Sequence, residues 1–551
     1  MEKKWWKESV VYQIYPRSFK DSNHDGIGDL RGIIEKIEYL VWLGVKAVWL
    51  NPVYDSPNDD MGYDIRDYEK IMSEFGTRED FDLLLETLHK HDIKLIMDLV
   101  VNHSSDEHHW FVESRKSKDN PYRDYYFWKK GNGFKEPNNW ASFFTPSAWT
   151  YDELTEEWYL HLFSEKQPDL NWDNPALREE IYSMINRWFD KGVDGFRMDV
   201  INLIAKKEGL PDGSKPTDGP YVFSDEHFAM QPKLHEHLQE MRRRCFDHRN
   251  CMCVGETPFV NTSNASSLIE TGRELDLLFH FELMDIDSRN GKWDYIPFNI
   301  MKFKKLMNSW QEALSWNSLF WSNHDQPRTV SRFGDDSTEF YRVQSAKMLG
   351  VAMHFLKGTS FVFQGEELGM TNYPFTKIEE LRDIESLQFI RNATKGDFLD
   401  FAWKGILKKG RDNARTPMQW DDSLYSGFSD VLPWISVNPN YSSINVETEM
   451  NNPDSILHFY QKMISLKTKS EVLIYGDYEP LFLDNEAFFA YIRRHEDKQI
   501  IVICNMTKNH VHLDYPKEWN HQEVILSNYE NYDVLFQPYE VRVINLVQHN
   551  E

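Results

Sequence analysis

Two carboxylates stand where short apolar runs of the sequence end, a placement that suits catalysis. Asp199 follows the run GVDGFRM, and Glu256 closes the run CMCVG. Neighbouring parallel strands lie about 4.8 Å apart, so carboxylates on adjacent strand ends can approach to about 5–5.5 Å, the spacing of a retaining glycosidase. Either residue alone is better explained as a helix N-cap after a strand. The pair, with His103, His324 and Asp325 at further run ends, predicts a catalytic site.

The chemistry of such a pair divides between its two members. One carboxylate attacks the anomeric carbon of a sugar, and the other, with a raised pKa, protonates the leaving oxygen and later activates water. Arg197 and Asp199 both lie in an otherwise apolar run. Charged side chains are costly there unless they are paired or functional, so the run itself indicates a site.

Eight short apolar runs are spaced along the chain, with helical patterns between them. Apolar residues recur at helical spacing from Leu30, Phe81 and Leu177. Strands that alternate with helices indicate parallel βαβ units, and eight of them predict an α/β fold, a closed (β/α)8 TIM barrel with its catalytic groups at the carboxyl ends of the strands. The runs are VVYQIYP, VKAVWLNP, IKLIMDLVVNH, GVDGFRMDV, CMCVGE, LDLLFHFE, SLFWSNHD and TSFVFQGEE.

Two segments exceed what the barrel needs. The stretch between the third and fourth runs is rich in Trp, Asn, Pro and Phe, and predicts a small inserted domain at 104–172. From 479 to 551 the pattern changes to alternating apolar and polar residues with turn residues between them, which predicts a C-terminal antiparallel β-sandwich domain. The catalytic barrel is accordingly expected to span 1–103 and 173–478.

The charge of the chain restricts its partners. The 551 residues carry a formal net charge of −26, and aromatic residues make up 15% of them. A strongly acidic protein repels polyanions, so nucleic acid and anionic membrane surfaces are excluded as partners. A small neutral oligosaccharide fits better, since the flat CH faces of sugar rings stack on aromatic side chains.

The sequence shows neither a targeting segment nor a disulfide framework. MEKKWWKESVVYQIYP lacks the features of a signal peptide, and an apolar run of 18 residues occurs nowhere, so we expect no membrane span. The four cysteines form neither a disulfide nor a zinc pattern. These features predict a cytoplasmic protein. The cysteines are Cys245, Cys251, Cys253 and Cys504.

Four motifs in fixed order identify a family that the sequence resembles. The segments DLVVNH (98–103), GFRMDV (195–200), VGE (254–256) and SNHD (322–325) resemble the signature of the α-amylase family of glycoside hydrolases, family 13. The resemblance covers essentially the whole chain. QPDLNW (167–172), the DGIGDL loop and RDNARTPMQWD (411–421) look like the oligo-1,6-glucosidase (isomaltase) group, intracellular exo-acting α-glucosidases.

The resemblance implies a role for each residue at the reacting sugar. Asp199 would be the nucleophile and Glu256 the acid/base, while Asp325 would hold the hydroxyls at C2 and C3 of the sugar ring. Arg197, on the same strand face as Asp199, would keep that carboxylate ionised and aimed. The two histidines would hydrogen-bond the same ring; they are His103 and His324.

The resemblance also implies the shape and preference of the pocket. Tyr63 would form a stacking platform, and Asp60 with Arg415 would bind the C4 hydroxyl of a terminal glucose, which closes the pocket and makes the enzyme exo-acting. From the residues alone, Asp60 and Arg415 could equally form a surface salt bridge. Val200, directly after the nucleophile, would lie beside the leaving sugar, where valine accompanies a preference for α-1,6 bonds in the resembled group. The expected activity is hydrolysis of isomaltose and short isomalto-oligosaccharides from their non-reducing ends.

The loop DSNHDGIGD (21–29) has the ligand spacing of a calcium site. Oxygen-bearing groups occur at positions 1, 3, 5, 7 and 9, with Gly26 at the tight turn. Position 12 is Gly32 rather than glutamate, so the loop is not an EF-hand; a metal-free Asx-rich turn is the plainer alternative. Members of the resembled group carry a metal in this loop. We expect a structural Ca²⁺, with Mg²⁺ as competitor, bound by Asp21, Asn23, Asp25, the carbonyl of Ile27 and Asp29.

Other members of the resembled group define the competing interpretations. Trehalose-6-phosphate hydrolase would need a basic pocket near the leaving group, for which Lys206, Lys207, Arg328 and Arg332 are the candidates. Sucrose isomerase is a variant of the same chemistry. A non-enzymatic relative, like the heavy chains of amino-acid transporters, would lack the catalytic carboxylates and bear a membrane segment. Here all three carboxylates are present.

Overall fold

The computed structural model describes residues 2–133, 135–216, 219–271, 273–393, 397–516, 519, 522–530 and 532–546. Eight parallel strands form its central sheet, and each of the eight apolar runs supplies one of them. The strands are β1 (Val10–Ile14), β2 (Ala47–Leu50), β3 (Lys94–Leu99), β4 (Gly195–Met198), β5 (Met252–Thr257), β6 (Leu277–His280), β7 (Asn317–Leu319) and β8 (Gly358–Phe363).

The hydrogen-bonded order of the strands is that of a barrel. Neighbours run β6-β5-β4-β3-β2-β1-β8-β7, so consecutive strands pair and β1 joins β8. The first and last strands of this order, β6 and β7, contact each other and close the circle. Every residue of the eight strands is buried except Lys94. The (β/α)8 prediction is confirmed.

Helices alternate with the strands of the barrel along the chain. The helix before β4 begins at Pro175 after an Asn174 N-cap and ends at Lys191; it is followed by Gly192, whose φ of 113° a side chain would disfavour. The pattern from Leu30 forms two helices with a break at Lys36. The main helices are Leu30–Glu35, Ile37–Leu43, Arg78–Lys90, Pro175–Lys191, Pro232–Met241, Ile300–Ala313, Glu339–His354, Ile384–Asn392, Asp397–Lys409, Ile456–Lys469 and Glu471–Tyr475.

The segment between β3 and β4 carries its own antiparallel sheet and apolar cluster. Its three short strands are Trp128–Lys129, Trp149–Asp152 and Glu157–Leu160. Trp140, Trp149 and Leu160 of this segment pack with Val200 and Leu203, which follow β4. The inserted segment is therefore fixed against the residues directly after the predicted nucleophile.

The C-terminal part is an antiparallel β-domain. Its five-stranded sheet has the order β9-β10-β11-β13-β12, from β9 (Asp477–Leu481), β10 (Phe488–His495), β11 (Lys498–Asn505), β12 (Glu523–Ser527) and β13 (Val541–Leu546). A second layer, the pair Val511–His512 and Leu535–Phe536, packs on it through a shared apolar cluster. Residues 517–518, 520–521, 531 and 547–551 of the predicted domain lie outside the described residues, and the domain boundaries themselves stay predictions.

Candidate active site

The two predicted catalytic carboxylates meet at a single arginine. Asp199 directly follows β4 and Glu256 lies near the end of β5, and both are buried. Arg197 Nη1 donates to Asp199 Oδ1 at 2.7 Å, and its Nη2 lies 2.7 Å from Glu256 Oε2. The N–H of Val200 also donates to Glu256 Oε2, at 3.1 Å. The strand ends thus bring nucleophile and acid/base candidates together around one fixed cation.

Burial and mutual repulsion govern the protonation of this pair. Burial, the largest cause, raises the pKa of Asp199 well above its usual range; Arg197 opposes this shift and the charge of Glu256 adds to it. Burial likewise raises the pKa of Glu256. Two neighbouring buried carboxylates cannot both ionise at low cost, so the pair retains one proton over a range in which exposed carboxylates have none.

Asp98, which the sequence analysis did not single out, anchors this arginine from the other side. Its buried Oδ1 accepts from Arg197 at 2.7 Å, and its Oδ2 accepts from Trp49 Nε1 at 2.9 Å and from the Tyr63 hydroxyl at 3.1 Å. Asp98 stands level with Arg197 on the neighbouring strand. Asp98 could have been found from the sequence, because an acidic residue inside the apolar run of β3 needs a buried partner.

His324 is held as a neutral hydrogen-bond donor next to Asp325. Burial lowers its pKa to about 3. Gln13 Nε2, which also donates to Asn51, lies 2.9 Å from His324 Nδ1, so Nδ1 accepts and the proton is on Nε2. Among the described residues Nε2–H has no hydrogen-bond partner, and it lies 3.3 Å from Asp325 Oδ2. The Tyr63 ring stacks on His324 with centroids 5.1 Å apart.

Asp325 is the ionised member of the predicted catalytic set. Burial pushes its pKa upward, but His324 and the cations Arg411 and Arg415 outweigh burial and hold the pKa well below its usual range. Arg415 Nη2 donates to Asp325 Oδ1 at 2.9 Å and Arg411 Nη1 at 3.2 Å. A carboxylate kept charged in the cleft is suited to accept hydrogen bonds from sugar hydroxyls.

The ion-pair partner of Asp60 is Arg411, while Arg415 pairs with Asp325; the predicted binding of the C4 hydroxyl by Asp60 and Arg415 stays a prediction. Arg411 Nη2 donates to Asp60 Oδ1 at 2.9 Å, and its Nε donates to Asp383 at 2.7 Å. Arg415, one helical turn later, points to Asp325 and donates through Nε to the carbonyl of His324. Arginines four residues apart share a helix face, so the spacing identified the region without resolving which arginine reaches Asp60. The Asp60–Arg411 pair is buried, whereas in the second pair Arg415 is buried and the Asp325 side chain is 27% exposed.

His103 and Gln167 support the same end of the cleft. Asn102 Nδ2 lies 3.2 Å from His103 Nδ1, and His103 Nε2 lies 3.0 Å from the carbonyl of Tyr63. Burial lowers the pKa of His103 to about 4, so the ring is neutral. Gln167 Nε2 donates to Asp60 Oδ2 at 3.2 Å. Gln167 belongs to the motif QPDLNW, but its role as a support of Asp60 was not predicted.

Seven of the ten predicted catalytic and substrate-binding residues line one cleft at the carboxyl ends of the strands; Arg197, His324 and Arg415 are not among its lining residues. The space between its walls, counted to the open mouth, is about 850 Å³. The Phe143 and Phe163 rings stack 4.6 Å apart in its wall. The lining comprises Asp60, Tyr63, His103, Phe143, Phe144, Phe163, Asp199, Val200, Glu256, Pro258, Phe281, Met284, Asp285, Lys292, Asp325, Gln326, Glu385 and Arg411.

The predicted metal loop is closed by bonds to its own backbone. Asp21 Oδ1 accepts from the N–H of Asn23 at 3.0 Å, and Asp25 Oδ1 accepts from that of Ile27 at 2.8 Å. Asp29 caps the helix Leu30–Glu35 through the N–H of Gly32. Within the described ranges, His, Cys, Asp and Glu side chains form no group of three or more that is placed to hold a metal ion.

Three of the four candidate cations for a phosphate pocket are already engaged. Lys206 is fully buried and pairs with Asp169 at 2.7 Å. Arg332 pairs with Asp287 at 2.7 Å. Arg328 is buried and donates to backbone carbonyls, including that of Gln364 at 2.7 Å. The fourth, Lys207, is exposed. None of the four lines the cleft.

A barrel with a buried carboxylate pair at adjacent strand ends, held by one arginine in a sugar-sized cleft, has the architecture of a retaining glycosidase. Residues 13–476 match the α-amylase catalytic-domain family. The chain belongs to the α-amylase family.

The similarity extends over the whole length of known proteins. The chain is 52% identical over 561 residues to an oligo-1,6-glucosidase of Bacillus cereus, covering 99% of this chain and 100% of that protein. A solved trehalulose synthase variant superposes with a TM-score of 0.95 at 41% identity. A trehalose-6-phosphate hydrolase variant of Bacillus licheniformis superposes with a TM-score of 0.93, also at 41% identity. Both superpositions cover 99% of this chain and 100% of the other. Among the described helices, none has the length and apolar character needed to cross a membrane.

Proposed function

We propose that the protein is an exo-acting retaining α-glucosidase that releases α-1,6-linked glucose from the non-reducing ends of isomaltose and short isomalto-oligosaccharides. The observation that carries this proposal is the position of the Asp60–Arg411 ion pair in the same cleft as the Asp199–Glu256 pair. A charged pair of this kind binds the C4 hydroxyl of a terminal glucose and leaves no passage for a further sugar. Relatives at 52% and 51% identity are named oligo-1,6-glucosidase, which supports the linkage.

The reaction proceeds in two displacements. Asp199 attacks the anomeric carbon while Glu256 gives its proton to the glycosidic oxygen, and the bond to the leaving sugar breaks. Glu256, now ionised, then takes a proton from water, which attacks the same carbon and releases Asp199. Arg197 contacts both carboxylates throughout, and it stabilises whichever of them carries the charge.

The side chains around the catalytic pair are placed to form hydrogen bonds with the sugar as charge develops on it. Asp325, kept ionised by its arginines, accepts from the C2 and C3 hydroxyls, and His324 Nε2–H is free to donate to a neighbouring oxygen. Hydrogen bonds that strengthen as the ring distorts lower the barrier instead of only tightening binding. Tyr63 presents its ring as a platform beside them.

A phosphorylated substrate is the weaker alternative. Its phosphate needs cations near the leaving-group side of the cleft, but Lys206, Arg328 and Arg332 are consumed by buried partners. Lys292, which does line the cleft, is paired with Glu385. A trehalose-6-phosphate hydrolase and a trehalulose synthase share the fold, so the comparison of substrates must include theirs.

The test is a comparison of substrates with the purified protein. Initial rates on isomaltose, maltose, sucrose and trehalose 6-phosphate are measured together, and the first product anomer is followed by NMR. We expect isomaltose to give the highest kcat/KM and α-glucose to appear first, because two inversions retain configuration. Initial β-glucose refutes the mechanism, and a higher rate on trehalose 6-phosphate replaces the proposed substrate.

We also propose that the loop 21–29 binds a structural Ca²⁺, with Mg²⁺ as competitor. The residue types fit, because carboxylate, amide and carbonyl oxygens are the ligands these cations prefer. Asn23 Oδ1 and Asp25 Oδ1 each accept one backbone N–H and keep a second lone pair for a cation. Gly26 adopts a φ of 88°, which allows the tight turn such a loop needs. The ligands would be Asp21, Asn23, Asp25, Ile27 O and Asp29.

We further propose that the protein works in the cytoplasm. All four cysteines are unpaired, and three of them are buried. Thiols kept free in a protein of this size are typical of reducing compartments. Fractionation of the source cells with an activity assay tests this proposal, and activity confined to the extracellular fraction contradicts it.

A further inference from the structure

The loop that presents Asp60 to the cleft has an unfavourable backbone conformation. Between Ser56 and Asp64 it contains two residues other than glycine in the left-handed region, Asn58 with φ 65° and Met61 with φ 48°. Side chains disfavour this region because Cβ approaches the backbone. A segment of this kind keeps its shape only when other groups determine it, so something in the structure must hold the loop.

One fully buried carboxylate holds this loop. Asp64 Oδ1 accepts from the N–H of Asp60 at 3.0 Å and from the hydroxyl of Ser56 at 3.1 Å, and its Oδ2 accepts from the N–H of Asp59 at 2.8 Å. The three donors lie on both sides of Asn58, and one of them directly precedes Met61. The bonds of Asp64 therefore span the strained residues and fix the backbone of Asp60 itself.

The charge of Asp64 has no cationic partner. Within the part of the chain that the structure describes, Asp64 forms no ion pair, although it is 0% exposed. Burial raises its pKa to about 7, against the effect of the two backbone N–H groups. A buried carboxylate that is satisfied only by backbone and hydroxyl donors organises the chain around it. Asp64 does not line the cleft, so it is not placed to touch the sugar.

The fixed backbone determines where the Asp60 side chain points. Asp60 Oδ1 meets Arg411 at 2.9 Å, and Oδ2 meets Gln167 at 3.2 Å. A second tie acts on the same loop, because the hydroxyl of Ser164 in the inserted segment donates to Asp59 at 2.5 Å. The end of the cleft that excludes further sugars is thus built on the loop that Asp64 closes.

We propose that Asp64 is a positioning residue for recognition of the terminal glucose: by accepting from Ser56, Asp59 and Asp60, it holds the Asp60 carboxylate where it binds the C4 hydroxyl. This inference rests on the proposed exo-acting function. It predicts that loss of Asp64 weakens one specific contact with the substrate, whereas a purely structural role would lower stability without changing which hydroxyl the enzyme recognises.

The experiment compares 4-nitrophenyl α-glucoside with its 4-deoxy analogue. kcat and KM are measured for the wild type, Asp60→Asn and Asp64→Asn, with thermal melting to verify folding. Asp152→Asn is the control, because Asp152 is also buried and closes a turn by accepting from the N–H and hydroxyl of Thr155, away from the cleft; unlike Asp64, it also pairs with Arg115.

The expected result is a loss of discrimination in two variants only. Removing the 4-hydroxyl lowers kcat/KM of the wild type by about 10- to 100-fold, as expected for a hydrogen bond to a charged group. In Asp60→Asn and in Asp64→Asn, removal of the 4-hydroxyl lowers kcat/KM by about threefold or less. The discrimination is lost mostly because KM for the intact substrate rises in these variants. Asp152→Asn keeps the full wild-type discrimination.

The outcomes separate the two proposals. If Asp60→Asn retains the wild-type discrimination, the exo-acting assignment fails. If Asp60→Asn loses it and Asp64→Asn retains it, the positioning role of Asp64 is refuted while the proposed function stands. If Asp64→Asn does not fold, Ser56→Ala decides: it removes one donor to Asp64 and is expected to reduce the discrimination by about fivefold. Unchanged discrimination in that variant refutes the positioning role.

Discussion

The catalytic cleft and the loop 21–29 are both rich in aspartate, yet their carboxylates are held by different partners. In the cleft, Asp60 pairs with Arg411, which lies 351 residues later in the chain. In the loop, Asp21 accepts from the backbone N–H of Asn23, two residues away, at 3.0 Å. The cleft depends on cations brought by distant segments, whereas the loop depends mainly on its own backbone N–H groups and on the hydroxyl of Ser429, which donates to Asp21.

This difference in partners distinguishes carboxylates that can catalyse a reaction from carboxylates that stabilise a loop. A carboxylate beside a buried arginine and a second carboxylate has a strongly altered pKa, as Asp199 and Glu256 have, and altered pKa values are what acid–base catalysis needs. A carboxylate that accepts local N–H groups, such as Asp25, instead fixes the shape of its loop. Substitutions in the two regions are therefore expected to separate turnover from stability.

The largest expected effect is the loss of turnover in Asp199→Asn. We expect kcat to fall by about 10⁴-fold or more, because an amide cannot form the glycosyl-enzyme, while the melting temperature stays at or above that of the wild type. Asp25→Asn is the matched change in the other region, with unchanged kcat and a lower melting temperature. Substantial activity in carefully purified Asp199→Asn removes this residue from the nucleophile role.

The next effect is a rise of KM in mild acid. Burial, opposed by Arg411 and Arg415, raises the pKa of Asp60 to about 6. Because this value lies above the ordinary range of an aspartate, Asp60 gains a proton as the pH falls through about 6 and loses its charge toward the sugar. KM for a terminal α-glucoside should rise over that interval in the wild type but not in Asp60→Asn. A wild-type KM that stays constant there contradicts the role of Asp60.

Removal of the cation should act on stability alone. An ion at a hundredfold excess over its Kd stabilises the native state by about 2.7 kcal/mol. Strong chelator should therefore lower the melting temperature while turnover at low temperature remains, since the loop 21–29 does not line the cleft. Asp25→Asn should melt at the same temperature with and without chelator. If elemental analysis finds no metal and chelator leaves the melting temperature unchanged, the proposed metal site is disproved.

The smallest effect concerns the linkage. Val200 lines the cleft with φ 35° and ψ 40°, a left-handed conformation that is strained for a β-branched residue. Threonine is β-branched too, so Val200→Thr leaves the strain unchanged and adds only a hydroxyl that can bond an α-1,4 acceptor. We expect the ratio of kcat/KM on isomaltose to that on maltose to fall by about tenfold or less.

Val200→Ala is the control for this prediction, since it relieves the strain without adding a donor and should not favour maltose. A wild type that prefers maltose, or an unchanged ratio in Val200→Thr, removes the basis of the α-1,6 assignment.

Much of the fold could be predicted from the sequence because each barrel strand has a local sequence pattern. Every apolar run that was expected to be a strand is one, since strands buried on both faces read as continuous apolar stretches. The helical pattern from Leu30 did not reveal its break at Lys36. At the site, the strand-end residues were found from the sequence, whereas the supports Asp98 and Gln167 were not, because their role depends on which neighbours they meet.

By itself, the sequence determined the order of the strands and the placement of Asp199, Glu256 and Asp325 at their ends, because the period of apolar residues and the end of each run are local properties. The tertiary structure decided the partners. Only the folded barrel assigns Arg411 rather than Arg415 to Asp60 and buries Lys206 against Asp169. The energy of a buried charge is set by groups within a few ångströms in space, and segments hundreds of residues apart in the chain supply those groups.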